Sequence, residues 1–240
     1  MNNKSMVRIG VVQMHLARDI QINSRTILKY IELAKSRKIE ILCFPECALT
    51  GYIRNHRDVH SNDLYEVITI LQQVSNSSKI SLLVGSSFPC KDAIYNSALI
   101  IRPHLQIKKY FKLNLTDYDR KYFLKGKKVH SFKINNIQCG VLICRDQNDP
   151  FLPKEFIKPK LLFYLSSHYY KPYEIKVKER KNKAFPIVRA VENKTYVAKS
   201  DAVGTQDGFV SVGTSMIVDP QGVVIAEAPR KKEALLELDL

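Results

Sequence analysis

The sequence predicts a layered α/β fold, on three observations. Apolar runs of strand length alternate with helical patterns, two neighbouring runs read as an antiparallel pair, and the last third is rich in short strands. Many strands with helices between only some of them imply sheet packed on sheet, with helices outside.

Residues 7–14 (VRIGVVQM) read as a buried strand. Residues 23–38 follow with Ile27, Tyr30, Ile31 and Ala34 at helical spacing and Asn23 as N-cap. Residues 39–44 form a second buried strand that ends at Pro45-Glu46; residues 62–78 read as a helix and 80–87 as a strand. Residues 95–102 and 105–111 are adjacent strands joined near Pro103 and His104, an antiparallel step that argues against a pure doubly wound sheet. Residues 132–134 and 137–143 are strands turning at Asn135-Asn136. Residues 161–166 make another buried strand, and 173–193 a long helix with Pro186 as its point of interruption. Strands at 195–202, 214–218, 223–228 and 235–240 complete the chain, with a turn at Asp219-Pro220-Gln221-Gly222. With no Gly/Ser/Pro-rich linker and no short repeat, residues 1–240 are expected to form one domain.

A chain of 240 residues can bury roughly 70–75% of its unfolded surface, so its core needs no disulfide or metal. Hydrophobic content of 45% and charged content of 25% exclude disorder as a global description. No apolar run approaches the ~18–20 residues that span a bilayer, and the opening MNNKSMVRIG lacks a signal-peptide pattern. A cytoplasmic protein with no membrane partner is the expectation. The five cysteines form no CxxC pair, which fits reduced thiols and predicts no metal site. The net charge of +15 is spread over modest clusters at 108–112, 120–128, 176–183 and 230–232. It reads as a solvated Lys-rich surface or as a preference for anionic ligands. Nucleic acid is not the expected partner, because no basic-aromatic motif accompanies the charge.

Three segments each set a reactive side chain just after a buried strand, where a rigid scaffold meets substrate. Phe44-Pro45-Glu46 ends in a carboxylate whose desolvation would suit it to general-base work; its structural alternative is a turn cap or ion pair. Tyr110-Phe111-Lys112 supplies an ammonium able to stabilise an oxyanion or a thiolate; its alternative is a surface lysine in a Lys-rich stretch. Ile143-Cys144-Arg145-Asp146 puts a thiol on a strand-to-turn elbow; its alternative is an inert buried cysteine. Cys43 and Cys139, within apolar strands, fit that alternative better, and the cysteines other than Cys144 are expected to be buried or unactivated.

Together these segments resemble the nitrilase, or carbon–nitrogen hydrolase, superfamily, and the resemblance covers nearly the whole chain in order. VRIGVVQM resembles its opening strand, FPECALTGY its glutamate segment, YNSALII with KKYFKLNL its lysine segment, and GVLICRDQNDP its nucleophile elbow. Arg189-Ala190-Val191-Glu192-Asn193 resembles its RAxEN helix, and Gly213-Thr214-Ser215 with DPQG its closing turn. The resemblance implies a four-layer α-β-β-α sandwich, pairing through outer helices into a homodimer or higher homo-oligomer. It implies Glu46, Lys112 and Cys144 as catalytic residues acting on a small linear amide or N-carbamoyl compound, without metal or organic cofactor. Nitrile hydrolysis, or a catalytically silent binding protein on the same scaffold, are the other readings. Asp119 stands where many relatives carry a second glutamate and is one methylene shorter; Asn114 replaces a frequent histidine, and Gln147-Asn148-Asp149-Pro150 an aromatic and glutamate arrangement. These departures fall where substrate groups would sit, so Arg145, Asn148 and the 166–170 loop (SSHYY), Ser166 and His168 among it, are expected to set specificity, with Arg145 either a ligand for a substrate carboxylate or a surface arginine.

Overall fold

The computed structural model describes residues 6–240; the opening MNNKS, part of the segment read above for a signal peptide, lies outside them. The first half contains β1 (Arg8–His15), α1 (Ile20–Ser36), β2 (Ile41–Cys43), α2 (Ser61–Ser78), β3 (Ser81–Cys90), β4 (Ala93–Ile101) and β5 (Lys108–Phe111). The second contains β6 (Phe132–Ile134), β7 (Ile137–Ile143), β8 (Leu161–Ser166), α3 (Ile175–Asn193), β9 (Tyr196–Gln206), β10 (Phe209–Val212), β11 (Met216–Val218), β12 (Val224–Glu227) and β13 (Ala234–Asp239).

One hydrogen-bonded path, β5-β4-β3-β2-β1-β9-β8-β7-β6, runs through both halves. The halves join where Met14 and His15 of β1 pair with Ala202 and Val203 of β9. The sheet folds over on itself, which the period-two pattern of the first half explains. Ile9, Val11, Ile41, Cys43, Leu83, Ala98 and Ile100 enter the core shared with β7, β8, β9 and β11. Their neighbours Val12, Met14, Leu42, Leu82, Val84, Leu99 and Ile101 pack against Ile27, Ile31 and Ala34 of α1 and Leu64, Val67 and Leu71 of α2. Ala190 and Ile187 of α3 close the other side. The order of layers is therefore helix, sheet, sheet, helix.

Three local expectations need correction. Helix α1 starts earlier, capped by Asp19, whose Oδ1 accepts from Ile22 N at 2.9 Å. Asn23 is buried instead, its side chain holding both backbone groups of Ala17 and the Leu49 carbonyl. Strand β10, absent from the sequence reading, pairs with an extended β9. Pro186 does not interrupt α3. A proline deprives the carbonyl four residues earlier of its donor, and here that carbonyl, Asn182 O, accepts from the buried Lys199 Nζ at 2.9 Å. No helix among the described residues is long and apolar enough to cross a membrane.

Candidate active site

Strand direction brings the distant segments together. β1, β2 and β3 are parallel; β4 reverses and β5 reverses again; β1 is parallel to β9, which is parallel to β8 and β7. The carboxyl ends of β2, β5, β7 and β8 therefore face one rim, and Glu46, Lys112, Cys144 and Ser167 each follow one of them.

The turn carrying Glu46 lies directly on β3. A Cβ on Gly85 would stand 2.2 Å from Pro45 O and 2.6 Å from Glu46 Cα, so only glycine lets the turn come this close. Lys112 extends β5 through its backbone amide, which donates to Asn96 O at 2.9 Å. Cys144 sits at φ +45°, a left-handed conformation costly for a side-chain-bearing residue, and opens a short 3₁₀ turn, Cys144–Asn148. Asp146 fixes this elbow to the lysine segment. Its Oδ2 accepts from Tyr110 OH at 2.7 Å and Ile143 N at 3.0 Å, and its Oδ1 from Leu113 N at 3.2 Å and Asn114 N at 2.6 Å. One carboxylate thereby ties together the chain on both sides of Lys112 and Cys144.

Within the rim, Lys112 Nζ lies 2.6 Å from Glu46 Oε1 and 2.8 Å from Asp119 Oδ2, with all three side chains fully buried. Asp119 thus reaches the lysine despite its shorter side chain, because it sits in a 3₁₀ turn (Asp119–Lys121) held by the Thr116 amide at 2.8 Å. Tyr52 OH donates to Asp119 Oδ1 at 3.2 Å, and Asn96 Nδ2 to Glu46 Oε1 at 2.7 Å. Among the described residues, the buried Glu46 Oε2 has no hydrogen-bond partner.

The two carboxylates share one ammonium and are pushed apart. Burial raises Glu46 to about 7, with Lys112 opposing and Asp119 adding. Burial favours neutral Asp119 too, but Lys112 and its hydrogen bonds outweigh burial and hold it below the usual carboxylate range. Burial opposes the charge of Lys112, yet Glu46 and Asp119 keep it well above the ordinary lysine range. The balanced state is Lys112⁺ with Asp119⁻, leaving Glu46 able to take or give a proton near neutrality. Burial, reinforced by Glu46, lifts the Cys144 thiol well above its ordinary value; Lys112 and a hydrogen bond with the Ser167 backbone oppose the rise. The thiol therefore needs a base to ionise it.

Cys144 lines a cavity of 240 Å³ whose walls include Tyr52, Tyr118, Tyr169, Tyr170 and Phe209, together with Ser167 and His168. His168 is clamped by Asp201, which accepts from its backbone N at 3.1 Å and lies 2.9 Å from its Nδ1. The expected specificity residues are split. Of the 166–170 loop, Ser167, His168, Tyr169 and Tyr170 line the Cys144 cavity, while Ser166 is buried at the end of β8. Arg145 and Asn148 line a second, open cavity of 480 Å³. The thiols also divide: Cys43, Cys47 and Cys139 are buried, and Cys90 is exposed. Asn96, Tyr52, Gly85 and Asp146 were not singled out from the sequence, although Asn96, Tyr52 and Asp146 lie inside quoted motifs and Gly85 inside the predicted strand 80–87.

This fold and rim define a scaffold for hydrolysing carbon–nitrogen bonds, and comparison gives the family. A family model described as carbon-nitrogen hydrolase matches residues 8–154 and 178–240, and the chain belongs to that family, as a hydrolase of the nitrilase superfamily. It is 28% identical over 233 residues to the glutamine-dependent NAD(+) synthetase of Thermotoga maritima, covering 92% of this chain but only 40% of that protein. It is 27% identical to a nitrilase of Pyrococcus abyssi, covering 98% of this chain and 90% of the relative. An amidase from Nesterenkonia sp. has the same fold, with a TM-score of 0.86 at 22% identity, over 98% of this chain and 90% of that one.

Proposed function

We propose that this chain hydrolyses a small linear amide or N-carbamoyl compound through a thioester on Cys144. Glu46 takes the thiol proton as sulfur attacks the carbonyl carbon, and Lys112 with the Arg145 backbone N–H stabilises the oxyanion. Glu46 then protonates the departing nitrogen as the C–N bond breaks, releasing ammonia or an amine. Water adds next, with Glu46 accepting its proton; the C–S bond breaks, the acid leaves and the proton returns to sulfur. These steps call for no metal or organic cofactor.

The observation that carries this reading is the Glu46–Lys112–Asp119 cluster beside the Cys144 cavity. It leaves one carboxyl group protonatable near neutrality while holding a permanent positive charge next to the thiol. At 240 Å³ the cavity is below the roughly 300–1,000 Å³ of drug-sized pockets, which favours a small substrate with an apolar acyl chain. The solved amidase relatives include complexes with acrylamide and butyramide. The test is ammonia release from a panel of linear amides and ureido acids. Turnover of at least one member, abolished in Cys144→Ala, supports the reading; ammonia release that survives this substitution refutes it.

A further inference from the structure

A second set of buried charges stands behind the wall of the Cys144 cavity, and the mechanism leaves it unused. Lys199 and Asp201 of β9 are buried with Thr214, and His168 joins them to the cavity. Lys199 Nζ donates to Thr214 Oγ1 at 2.7 Å, and Thr214 donates to Asp201 Oδ2 through both its hydroxyl and its backbone N. The same Oδ2 lies 2.9 Å from His168 Nδ1. At the other edge of the ring, His168 Nε2 lies 3.3 Å from Gln147 Nε2, and Gln147 belongs to the Cys144–Asn148 turn.

Burying a lysine with an aspartate is a poor source of stability, because desolvating both charges cancels much of their attraction. What the chain supplies is direction. An ammonium has only protons to give, so Thr214 Oγ1 accepts from Lys199 and turns its own proton to Asp201. An ionised Asp201 can only accept, so His168 carries its proton on Nδ1 and leaves Nε2 bare. The charge states agree. Burial brings Lys199 down to about 8 against the pull of Asp201, so it remains charged at neutral pH. Burial opposes ionisation of Asp201, yet His168, Lys199 and Thr214 hold it below the usual carboxylate range. Burial lowers His168 despite Asp201, with Lys199 and Lys112 adding, so the ring is neutral.

The bare Nε2 in turn orients Gln147. Its side-chain NH₂ donates to the ring, because the reverse rotamer would set one acceptor against another. That choice leaves Gln147 Oε1 buried without a partner among the described residues, so the ring fixes the amide. The elbow is thus gripped at three points: by Asp146 on the β5 side, by Arg189 Nε on the Gln147 carbonyl at 3.0 Å, and by His168 on the Gln147 side chain. Cys144 at φ +45° needs such support, because a strained conformation persists only where its surroundings over-determine it.

We propose that Lys199, Thr214 and Asp201 lock His168 as the Nδ1–H tautomer, and that His168 is a positioning residue that holds the Cys144 elbow through Gln147. Its effect on turnover rests on the amide-hydrolase reading; the tautomer rests on the hydrogen-bonded chain alone.

Nitrogen NMR of protein labelled with ¹⁵N-histidine reads the tautomer, and the signal missing from His168→Asn identifies His168. The proposal predicts a neutral ring at neutral pH, protonated on Nδ1 and bare on Nε2; a proton on Nε2 overturns it. Turnover of a small linear amide is the second arm. Asparagine can still donate to Asp201 but does not reach Gln147, whereas glutamine sets an amide oxygen near the Nε2 position. His168→Asn should therefore lower kcat about ten- to hundredfold with KM within about twofold, and His168→Gln should recover part of the loss. Gln147→Leu should cost a similar factor and add nothing to His168→Asn, since both break one contact. Wild-type kcat in His168→Asn, no recovery in His168→Gln, or independent losses in the double variant overturns the positioning role. Where His168→Asn does not fold, His168→Gln assigns the signal, and wild-type kcat in Gln147→Leu overturns the role. If wild type hydrolyses no amide, the hydrolase reading has failed, and labelling of Cys144 by iodoacetamide in a Cys90→Ser background decides this one. A rate change of about threefold or more in His168→Asn, shared by Gln147→Leu and not enlarged in the combination, supports it; wild-type rates refute it.

Discussion

At the residue scale, the property that matters is the unequal treatment of two carboxylates by one lysine. Asp119 gains the Thr116 amide and the Tyr52 hydroxyl as additional donors, while Glu46 keeps one oxygen without a partner among the described residues. Negative charge settles on Asp119 and a proton can rest on Glu46. Because Glu46 must be ionised to accept the thiol proton, kcat/KM is expected to rise through pH about 7 and to fall about tenfold per unit below it. Lys112, held well above its usual range, adds no descending limb near neutrality. Asp119 raises the Glu46 pKa, so Asp119→Asn should move the acidic limb to lower pH, whereas a purely structural loss would lower the rate without shifting the profile. Glu46, Lys112 and Cys144 were legible in sequence because each ends a strand inside a compact motif, although only β2 and β7 are buried and the edge strand β5 before Lys112 is partly exposed. Asn96 was not, since an asparagine in an apolar strand gives no sign of its partner 50 residues away. The reach of Asp119 was equally hidden, because it depends on where a 3₁₀ turn sits.

At the scale of elements, strands were read from apolar runs with small errors at their ends. The misreadings came from tertiary contacts. The sequence marks Pro186 as an interruption, but nothing local reveals that a lysine 13 residues further on will satisfy the carbonyl it strands. Lys199→Met should leave Asn182 O buried without its donor and cost about 1–3 kcal/mol. Pro186→Ala restores the helical N–H for that carbonyl, so urea unfolding of the double variant should recover part of the loss. Strict additivity of the two changes would show that they do not share the carbonyl. Strand β10 escaped notice for a related reason. Its Phe209–Val212 segment becomes a strand through pairing with the end of β9, which extends past the predicted 195–202.

At the scale of the whole molecule, parallel strand directions across the β1–β9 junction make one rim out of segments that are about 100 residues apart in sequence. Sheet packed on sheet with helices outside was legible from many strands with helices between only some of them, and the four-layer form from the family resemblance; the continuity of one sheet through both halves was not, because it rests on a two-residue contact. The outer face retains exposed apolar side chains at Val188 and Val191 of α3, at Val223 just before β12 and at Ile225 within it. Gly222 brings that turn against Val191, so the residues form a shared patch suited to self-association. Light scattering should give a homodimer or higher assembly that Val191→Glu/Ile225→Lys weakens; a wild-type monomer at micromolar concentration would contradict this.

The most direct test of the catalytic claim is mass spectrometry of Cys90→Ser protein, quenched in acid during turnover of a small linear amide. The background removes the exposed thiol, so an acyl adduct equal to substrate minus ammonia should map to Cys144 and disappear in the added Cys144→Ala substitution. An acyl mass on any other residue, or ammonia release that continues without Cys144, would contradict the account.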